Sequence, residues 1–464
     1  MRIVFYSTNS NKYKAGSLVF GMNPSCHEQW QNLIEKFPNY EFFVVAQRPG
    51  MFLIDDLEKE QGVKTIFVRS EDEFDIEKSN GKSSLDEISD VILGLRPDVA
   101  IAVSYWASPF DWMSIKDALV AENLRKRGVR AVCHSSKTAS ICFDKWKTHQ
   151  FLENNGFNCA RCVYVQHEMF YAERRSLVIV ENIYREYIFS QIEKLNFPVV
   201  IKDVYGLSSY GMDVVNSFEK AKSVLLSKKN NSDRMVEEFI DGISFGCEIY
   251  GSGGNYTVTP PLSNSVNQFG LTSPKQNVKL GPVIDNVALE KFHIEELKSE
   301  MLRLSELLDF DGIAQVDLIF FNRKWFVLEI NSRISGMTQT MAYSMSRTLY
   351  EQILFSANLL PLDSSELKYR FVMNLKFPLL TDDKIERLMK KSYVFAVNKI
   401  ENHEAKQLRE MGYTEVIFGG TETLSETMEM LEELNREFPE DMVSVFYENA
   451  KKLSDLVLAK NYNF

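Results

Sequence analysis

The sequence predicts an α/β protein made of several subdomains, and three observations lead to this prediction. Strand-like and helical segments alternate over residues 1–133, which is typical of a mostly parallel sheet. Two apolar, β-branched and aromatic runs at 313–321 and 325–330 flank a polar turn at 322–324, which indicates an antiparallel hairpin. The chain has 464 residues, of which 45% are hydrophobic, and this is enough for three or four subdomains.

Composition and charge argue against several classes of protein. The 53 basic and 64 acidic residues give a net charge of −11, which disfavours a nucleic-acid-binding surface. Six cysteines are too sparse for a disulfide framework, and the single Cys159-Ala-Arg-Cys162 has no second pair for a zinc site. The N-terminus lacks an apolar signal region, and no apolar run reaches 18 residues, which disfavours secretion and membrane insertion. A cytoplasmic protein is therefore expected.

The first region is predicted to form a parallel sheet. Helical patterns at 84–94 and 114–127 lie between its strands. Ligands of such sheets bind beyond the carboxyl ends of the strands, so the segments after Tyr6 and Val103 are candidates for a substrate pocket. Ordinary surface turns are the alternative interpretation of both segments. The predicted strands are Arg2–Tyr6, Tyr40–Ala46, Lys64–Val68, Asp98–Val103 and Arg130–Cys133.

Residues 198–215 combine an apolar strand that ends in Lys202, a Gly/Ser-rich turn and a second strand. Glycines let backbone N–H groups approach phosphate oxygens closely, and serine hydroxyls add donors. Taken alone, the turn fits a plain hairpin equally well. The candidate phosphate-binding residues in the turn are Gly206, Ser208, Ser209 and Gly211. A small lid domain is predicted here from strands at 198–202, 211–215, 234–240 and 244–251 and a helix at 217–227.

The hairpin at 312–331 carries a charged group of residues. A three-residue turn centred on Arg323 places Asp317 opposite Glu329, and the strand period of two adds Asn331 and Arg333 to the same face. Two carboxylates and an amide oxygen are hard ligands that suit Mg²⁺ or Mn²⁺, and an arginine can hold an anionic reacting group. By itself, the pattern also fits a hairpin with one solvated polar face.

Taken together and in order, these segments resemble the ATP-grasp superfamily of carboxylate ligases over about residues 95–360. The matching segments are Pro198–Lys202 with its Gly/Ser turn, Val236-Glu-Glu-Phe-Ile240, Asp317 and Glu329-Ile-Asn-Ser-Arg333. The resemblance implies an ATP-grasp fold of four parts. These parts are an N-terminal Rossmann-like pre-ATP-grasp domain (1–143), a lid region (144–250), a central antiparallel-sheet core with the metal hairpin (251–362) and a C-terminal accessory α/β module (363–464).

The same resemblance implies a role for each candidate residue. Lys145, at the start of a helix, would join Lys202 on the nucleotide phosphates. Ser244 stands where many members carry a ribose-binding glutamate, which leaves Glu248 as the nearest acid. Arg333 and Lys202 would be catalytic. The segment that would bind adenine and ribose is Glu237, Glu238, Phe239 and Ile240, and the metal ligands would be Asp317, Glu329 and Asn331.

The expected function is that of an ATP- and Mg²⁺-dependent ligase. The resemblance implies that a carboxylate is activated as an acyl phosphate and joined to an amine, with release of ADP and phosphate, as in L-amino-acid ligases and carbamoyl-phosphate-synthase-like members. A biotin-carboxylase-type role is disfavoured, because Ile-Ser-Gly follows Arg333. Two alternatives are a catalytically silent ATP-binding regulatory protein and a ligase acting on the amine or thiol of a carrier protein. The expected partners are small-molecule carboxylate and amine substrates, without nucleic acid or membrane, and the chain could form a homodimer.

The remaining segments are predicted from periodicity alone. The region 252–285 is rich in Gly, Pro, Ser and Asn and is expected to be a long loop that helps to select substrates. Helices are expected at 186–195, 286–308 and 338–359. The predicted elements of the C-terminal module are strands near 370–378, 393–400 and 413–418 and helices near 383–390, 403–412, 423–436 and 443–460.

Overall fold

The computed structural model shows a mixed α/β protein whose described residues form three sheets. No helix in the described part of the chain is long and apolar enough to cross a membrane. The structure describes residues 1–8, 18–47, 53–54, 62–68, 83–105, 114–171, 181–205, 211–227, 230–272, 278–360, 367–402 and 412–460.

The first domain contains a five-stranded, fully parallel sheet, which agrees with the predicted parallel sheet; its strand order is β4-β3-β1-β5-β6. Residues 3–6 of the central strand are fully buried, because helices cover both faces of a parallel sheet. Its strands are β1 (Arg2–Ser7), β3 (Glu41–Gln47), β4 (Lys64–Val68), β5 (Val99–Ala102) and β6 (Arg130–Val132). Its helices are α1 (Cys26–Lys36), α2 (Ser84–Gly94), α3 (Ser114–Lys126) and α4 (Ser136–Phe143).

The lid is a four-stranded antiparallel sheet with the order β7-β10-β8-β9. The segment 244–251, which was expected to complete this sheet, belongs to the central sheet instead, and the 162–165 strand takes its place. The lid strands are β7 (Cys162–Val165), β8 (Val199–Asp203), β9 (Asp213–Val215) and β10 (Arg234–Glu238). Its helices are α6 (His167–Tyr171), α7 (Ile183–Ile192) and α8 (Phe218–Leu225). Helix α5 (Lys145–Asn154) precedes the lid and packs on α4 and on β16 (Lys324–Asn331) of the central sheet.

The central sheet has ten strands in the order β16-β15-β11-β13-β14-β17-β19-β18-β2, with β12 paired to β11. Its strands are β2 (Leu18–Asn23), β11 (Ile243–Ser252), β12 (Asn255–Val258), β13 (Leu262–Asn264), β14 (Lys279–Gly281), β15 (Gly312–Phe321), β16 (Lys324–Asn331), β17 (Phe371–Phe377), β18 (Val394–Asn402) and β19 (Gly412–Thr421). Its helices are α9 (Asn286–Lys291), α10 (Ile294–Leu308), α11 (Thr338–Ser344), α12 (Leu349–Ser356), α13 (Asp382–Met389), α14 (Leu424–Glu437) and α15 (Ser444–Val457).

Three features of this sheet differ from the sequence prediction. The C-terminal strands extend the core sheet through the β14–β17 pairing and form no sheet of their own within the described residues. An N-terminal strand, β2, forms the edge beyond β18. The expected loop at 252–285 contains three short strands.

The two long helices predicted at 286–308 and 338–359 are each split, because His293 and Ser346 adopt left-handed conformations (φ 51° and 55°). The predicted helix at 403–412 falls almost entirely outside the described residues.

Both faces of the central sheet are buried. Phe245, Leu280 and Phe418 belong to the core cluster on one face, which also contains residues of α10, α14 and α15. On the other face, Tyr250 and Leu262 belong to a cluster with residues of α11, α12 and the first-domain sheet. The second face is the one that meets the candidate site.

His134, directly after β6, ties the first domain to the central sheet. Its Nδ1 accepts from the backbone N–H of Asp311 (3.1 Å), and its Nε2 lies 2.8 Å from the carbonyl oxygen of Ile313. This pair of bonds requires the neutral ring with the proton on Nε2. Burial lowers the pKa of His134 to about 4.

We expect this histidine to make the fold sensitive to acid. In the unfolded chain its pKa is about 6.5, so the stability contributed by the neutral ring is present above pH 6.5 and is lost as the pH falls towards 4. Between pH 7 and pH 5 the loss amounts to about 2 kcal/mol. The variant His134→Gln keeps one donor and one acceptor but does not titrate. In thermal melts, its deficit relative to wild type should shrink between pH 7 and pH 5, and an unchanged deficit would contradict this account.

Candidate active site

The predicted hairpin at 312–331 is present, but its turn differs from the prediction. Asn322 and Arg323 alone form the turn, both with positive φ (47° and 59°), which is the geometry of a tight two-residue hairpin. Such a turn pairs Phe321 with Lys324 and would leave Glu329 out of register with Asp317. A β-bulge opposite Asp317 and Leu318 adds one residue to β16 and restores the Asp317–Glu329 pairing. The expected pair is therefore present for a different reason.

A chain of hydrogen bonds orders the polar face of the hairpin. Arg333 Nη2 donates to Asn331 Oδ1 (3.0 Å), and Asn331 Nδ2 donates to Gln315 Oε1 (2.8 Å). Gln315 Nε2 in turn donates to Asp317 Oδ1 (2.8 Å). Gln315 was missed at the sequence level, although it lies two residues before Asp317 and the strand period places it on the same face. It fixes the orientation of both Asp317 and Asn331.

Two buried lysines from other elements pair with acids at this hairpin and in the lid. Lys145, at the start of α5, lies with Nζ 2.9 Å from Glu329 Oε1. Lys202, on β8, lies with Nζ 2.5 Å from Glu237 Oε1. Both lysine side chains are less than 10% exposed, and Asp144 caps α5 by accepting from two backbone N–H groups. The structure therefore brings Lys145 and Glu329 together from distant parts of the sequence.

These groups share one cleft between the lid and the central sheet. Its empty volume is about 970 Å³, partly open to solvent, which is the size of a small-molecule site. Lys145, Lys202, Asp317 and Glu329 line it together with the segment 237–240. Ser244, Met212 and the segment 270–272 line it too, and the last of these had no predicted role. Gly270 packs so closely on Phe239 that a Cβ there would lie 2.4 Å from the ring.

The Gly/Ser turn of the lid is only partly described. Gly206, Ser208 and Ser209 lie outside the described residues. Gly211 has a positive φ of 71°, and its carbonyl oxygen accepts from Arg234 Nη1 at 3.1 Å. The glycine at 211 is thus explained by backbone conformation.

Several polar groups of the link between lid and core, residues 237–240, form hydrogen bonds within the protein. Glu238 accepts from Arg161 Nη1 (3.0 Å) and from the backbone N–H of Asn196 (2.9 Å). The N–H of Phe239 donates to Pro198 (3.0 Å), and the carbonyl oxygen of Ile240 accepts from Gly242 (2.9 Å). The side chain of Glu238 therefore holds the link in place, and residues 237–240 themselves line the cleft.

Glu248 lies away from the position that the ribose contact requires. It is 0% exposed, does not line the cleft, and accepts from Thr338 Oγ1 (2.5 Å), Ser335 Oγ (3.0 Å) and the Tyr250 hydroxyl. Burial raises its pKa to about 7. The prediction selected the nearest acid in sequence, but this acid lies opposite Gln315 on the sheet and is held by the segment that leads into α11.

The donor set fits a hard divalent cation. Burial and the neighbouring Glu329 carboxylate raise the pKa of Asp317 to about 6, because two carboxylates that face each other repel. A divalent cation relieves this repulsion, and Asn331 adds a third oxygen. In the described part of the chain, no cluster of three His, Cys, Asp or Glu side chains is arranged to hold a metal. A cation here would therefore depend on Asn331 and on ligand oxygens for the rest of its shell.

A second cavity lies where the first domain meets Arg333. Ser104, after β5, lines it with Arg333 and Asp117. Asp117 is buried and accepts from the N–H and the hydroxyl of Thr8 (3.1 and 2.6 Å), which follows β1. The carboxyl ends of β1 and β5 thus reach this cavity, where the sequence placed its candidate pocket.

A family model matches part of the chain. Residues 167–351 match the family described as D-ala D-ala ligase C-terminus. A curated relative, the D-alanine–D-alanine ligase of Azobacteroides pseudotrichonymphae genomovar. CFP2, is 25% identical over 229 residues. The match covers 48% of this chain and 66% of the relative, so the chain spans about two thirds of that protein's length.

Solved structures match nearly the whole chain. The L-amino acid ligase from Bacillus licheniformis has a TM-score of 0.61 at 16% identity, covering 94% of this chain and 98% of the other. The N5-carboxyaminoimidazole synthase from Aspergillus clavatus, solved with ADP and an aminoimidazole ribonucleotide, has a TM-score of 0.60 at 11% identity, covering 97% and 98%. At these identities the likeness shows a shared fold.

Proposed function

We propose that the chain is an ATP-grasp ligase that joins a carboxylate to an amine at the expense of ATP, releasing ADP and phosphate. One observation carries the proposal. Asp317, Glu329 and Asn331 share one face of a hairpin, and Lys145 and Lys202 reach the same cleft. This combination of hard-oxygen ligands and paired ammoniums suits a metal–triphosphate.

The lysines act on the nucleotide phosphates. Lys145 and Lys202 lie in a cleft with little solvent, where an ammonium interacts with phosphate more strongly than it does in water. Their present partners, Glu329 and Glu237, hold them in orientation. Residues 237–240 and 270–272 form the wall against which a base would pack, and the Gly/Ser turn of the lid would cover the phosphates.

Asp317, Glu329 and Asn331 are the residues that would hold Mg²⁺. When bound, the cation offsets phosphate charge and orients the γ-phosphoryl group for transfer. Gln315 holds Asp317 and Asn331 in the required orientation through its two hydrogen bonds. Arg333, whose guanidinium bonds to Asn331 and to the carbonyl oxygen of Ile334 (3.2 Å), stands between this hairpin and the cavity lined by Ser104.

The proposed reaction has two steps, phosphoryl transfer to the acid and attack by the amine. A carboxylate oxygen of the acid attacks the γ-phosphorus, the bond to the β-phosphate oxygen breaks, and ADP leaves. The amine then attacks the carbonyl carbon of the acyl phosphate, phosphate leaves with the electron pair of the C–O bond, and the amine loses a proton. Arg333 is placed to stabilise the negative oxygens in both steps. We assign small amino-acid or peptide substrates to the site, which is consistent with the small cavity beside Arg333, lined by both polar and apolar side chains.

Trapping of the activated acid tests this proposal. Incubation with ATP, Mg²⁺ and candidate acids in hydroxylamine should yield the hydroxamate together with ADP and phosphate, because hydroxylamine attacks an acyl phosphate as an amine does. Omission of Mg²⁺ is the control and should abolish all three products. Formation of AMP and pyrophosphate would show that the acid is activated as an acyl adenylate and would overturn the proposal.

A further inference from the structure

A row of polar side chains crosses the buried face of the central sheet. It consists of two sets of cross-strand neighbours. The first set is Asn264, Lys279 and Asn374 on β13, β14 and β17, and the second set is Lys376, Glu415 and Asn398 on β17, β19 and β18. Asn374 and Lys376 are two residues apart on one strand, so both sets lie on the same face. We call these six residues the polar row.

The polar row begins next to the metal hairpin. Leu262, two residues before Asn264, pairs with Gly246, and Gly246 pairs with Asp317. The row therefore shares the face that carries Asp317. The charge of Lys279 acts on both Asp317 and Glu248, where it lowers their pKa values against the effect of burial. Lys279 is thus within electrostatic reach of the reaction centre.

Helix α11 lies against the far part of the row. Asn374 Nδ2 donates to Thr340 Oγ1 (2.9 Å), and Asn398 Nδ2 donates to Gln339 Oε1 (2.8 Å). A sheet face covered by a helix is normally apolar, since a buried polar group without a partner costs free energy. Six polar residues at such a position require a reason other than the stability of the fold.

The charges of the row are unbalanced. Lys279 is 8% exposed and Lys376 is 5% exposed, and both lie on this face with Glu415. Burial lowers the pKa of Lys376 to about 7, Glu415 opposes the lowering, and Lys279 adds to it. The ring of Tyr413 also lies beside Lys376, with the centroid 4.2 Å from Nζ. An anionic group bound between Lys279 and Lys376 would favour the charged form of Lys376.

Two buried amides flank Lys279 with oxygens that have no hydrogen-bond partner among the described residues. These are Oδ1 of Asn264, a residue 6% exposed, and Oδ1 of Asn374, a residue 0% exposed. Buried amide oxygens in folded proteins nearly always accept a hydrogen bond from protein, water or ligand. An ammonium group is the donor that such oxygens suit.

We propose that the polar row binds the amine-bearing substrate as a zwitterionic amino acid, with its carboxylate between Lys279 and Lys376 and its amino group on the amide oxygen of Asn264. This assignment rests on the proposed ligase function. It places the amino group on the side of the row nearer to Asp317. It also gives the C-terminal strands β17 and β19 a part in substrate selection.

The test compares an amino acid with its primary carboxamide, which keeps the amine and lacks the negative charge. The amino acid is the one that gives most phosphate release in a screen of the standard L- and D-amino acids. In Lys376→Met, KM for this amino acid should rise by about tenfold or more, corresponding to about 1.4 kcal/mol, while the preference over the carboxamide falls. Lys384→Met is the control, because Lys384 lies on α13 and pairs with Asp441; it should leave the preference unchanged.

Further arms of the experiment separate the possible failures. Lys279→Met repeats the test if Lys376→Met does not fold. An unchanged preference in folded variants, with hydroxamate still formed, would overturn this assignment and leave the ligase function standing. If no amino acid stimulates phosphate release, binding is measured instead as the shift in melting temperature caused by the same amino acids and carboxamides. The site is supported if an amino acid raises the melting temperature of wild type more than its carboxamide does and if the lysine variants lose this difference. The assignment is overturned if wild type shows no such difference.

Discussion

Replacing Glu329 by Gln is expected to lower ATP-dependent phosphate release by about 100-fold or more, as occurs when one group that stabilises a transition state is removed. The amide keeps the shape of the side chain and an oxygen that can accept from Lys145, whose Nζ lies 2.9 Å from Glu329. It removes the charge that a divalent cation requires. The fold should survive, because Asp317 loses a neighbour that repels it.

The matched control for this variant is Glu386→Gln. Glu386 is an exposed carboxylate on α13 that pairs with Lys390 in the same helix. Surface pairs of this kind contribute little, so activity and melting temperature should stay at wild-type values. Steady-state phosphate release at saturating ATP measures both variants. If Glu329→Gln retains activity within about twofold of wild type, the hairpin has no role in the transition state.

The second large effect is expected from Lys202. Removal of the ammonium alone would leave Glu237 little exposed and without its partner, and breaking a buried pair destabilises a protein by about 3–5 kcal/mol. The informative variant is therefore Lys202→Met combined with Glu237→Gln, which removes both charges. We expect kcat/KM for ATP to fall by at least about tenfold, or 1.4 kcal/mol, because one ligand of the phosphates is lost.

Two comparisons isolate the contribution of the ammonium. Glu237→Gln alone keeps the Lys202 ammonium and leaves an amide oxygen that can accept from it. At a temperature at which thermal melts show both variants folded, it should lose less kcat/KM for ATP than the double variant. Lys220→Met removes an exposed lysine from helix α8 of the lid and should have no effect. A double variant with wild-type kcat/KM for ATP would remove Lys202 from the nucleotide site.

The hairpin at 312–331 shows how much of the site cross-strand pairing rules predict from the sequence. Cross-strand parity placed Asp317 opposite Glu329 and added Asn331, and the structure has this pairing. The turn length was wrong by one residue, and a bulge of one residue compensates for it. The same parity could have found two further residues. Gln315 lies two residues before Asp317 on the same face of β15, and Glu248 is the cross-strand partner of Gln315. Glu248 was instead chosen by proximity in sequence, which carries no information about the face of a strand.

Contacts between distant segments could not be predicted in the same way. The ion pair of Lys145 with Glu329 joins the start of a helix to a hairpin strand, and the packing of whole subdomains determines it. The pairing of β2 with β18 connects the two ends of the chain, and neither strand contains a signal for the other. The polar row is also a product of strand order, since its members come from five strands that only the folded sheet brings together.

The central claim is that Asp317 and Glu329 hold a cation that binds the nucleotide, and thermal melting with Mg-ATP tests it most directly. Wild type should gain stability from saturating Mg-ATP, on the order of 2.7 kcal/mol at a hundred times Kd. It should gain much less from ATP with a chelator. The variant Asp317→Asn/Glu329→Gln should fold and respond equally weakly to ATP with and without Mg²⁺. If this variant gains as much from Mg-ATP as wild type does, the two carboxylates do not bind the cation.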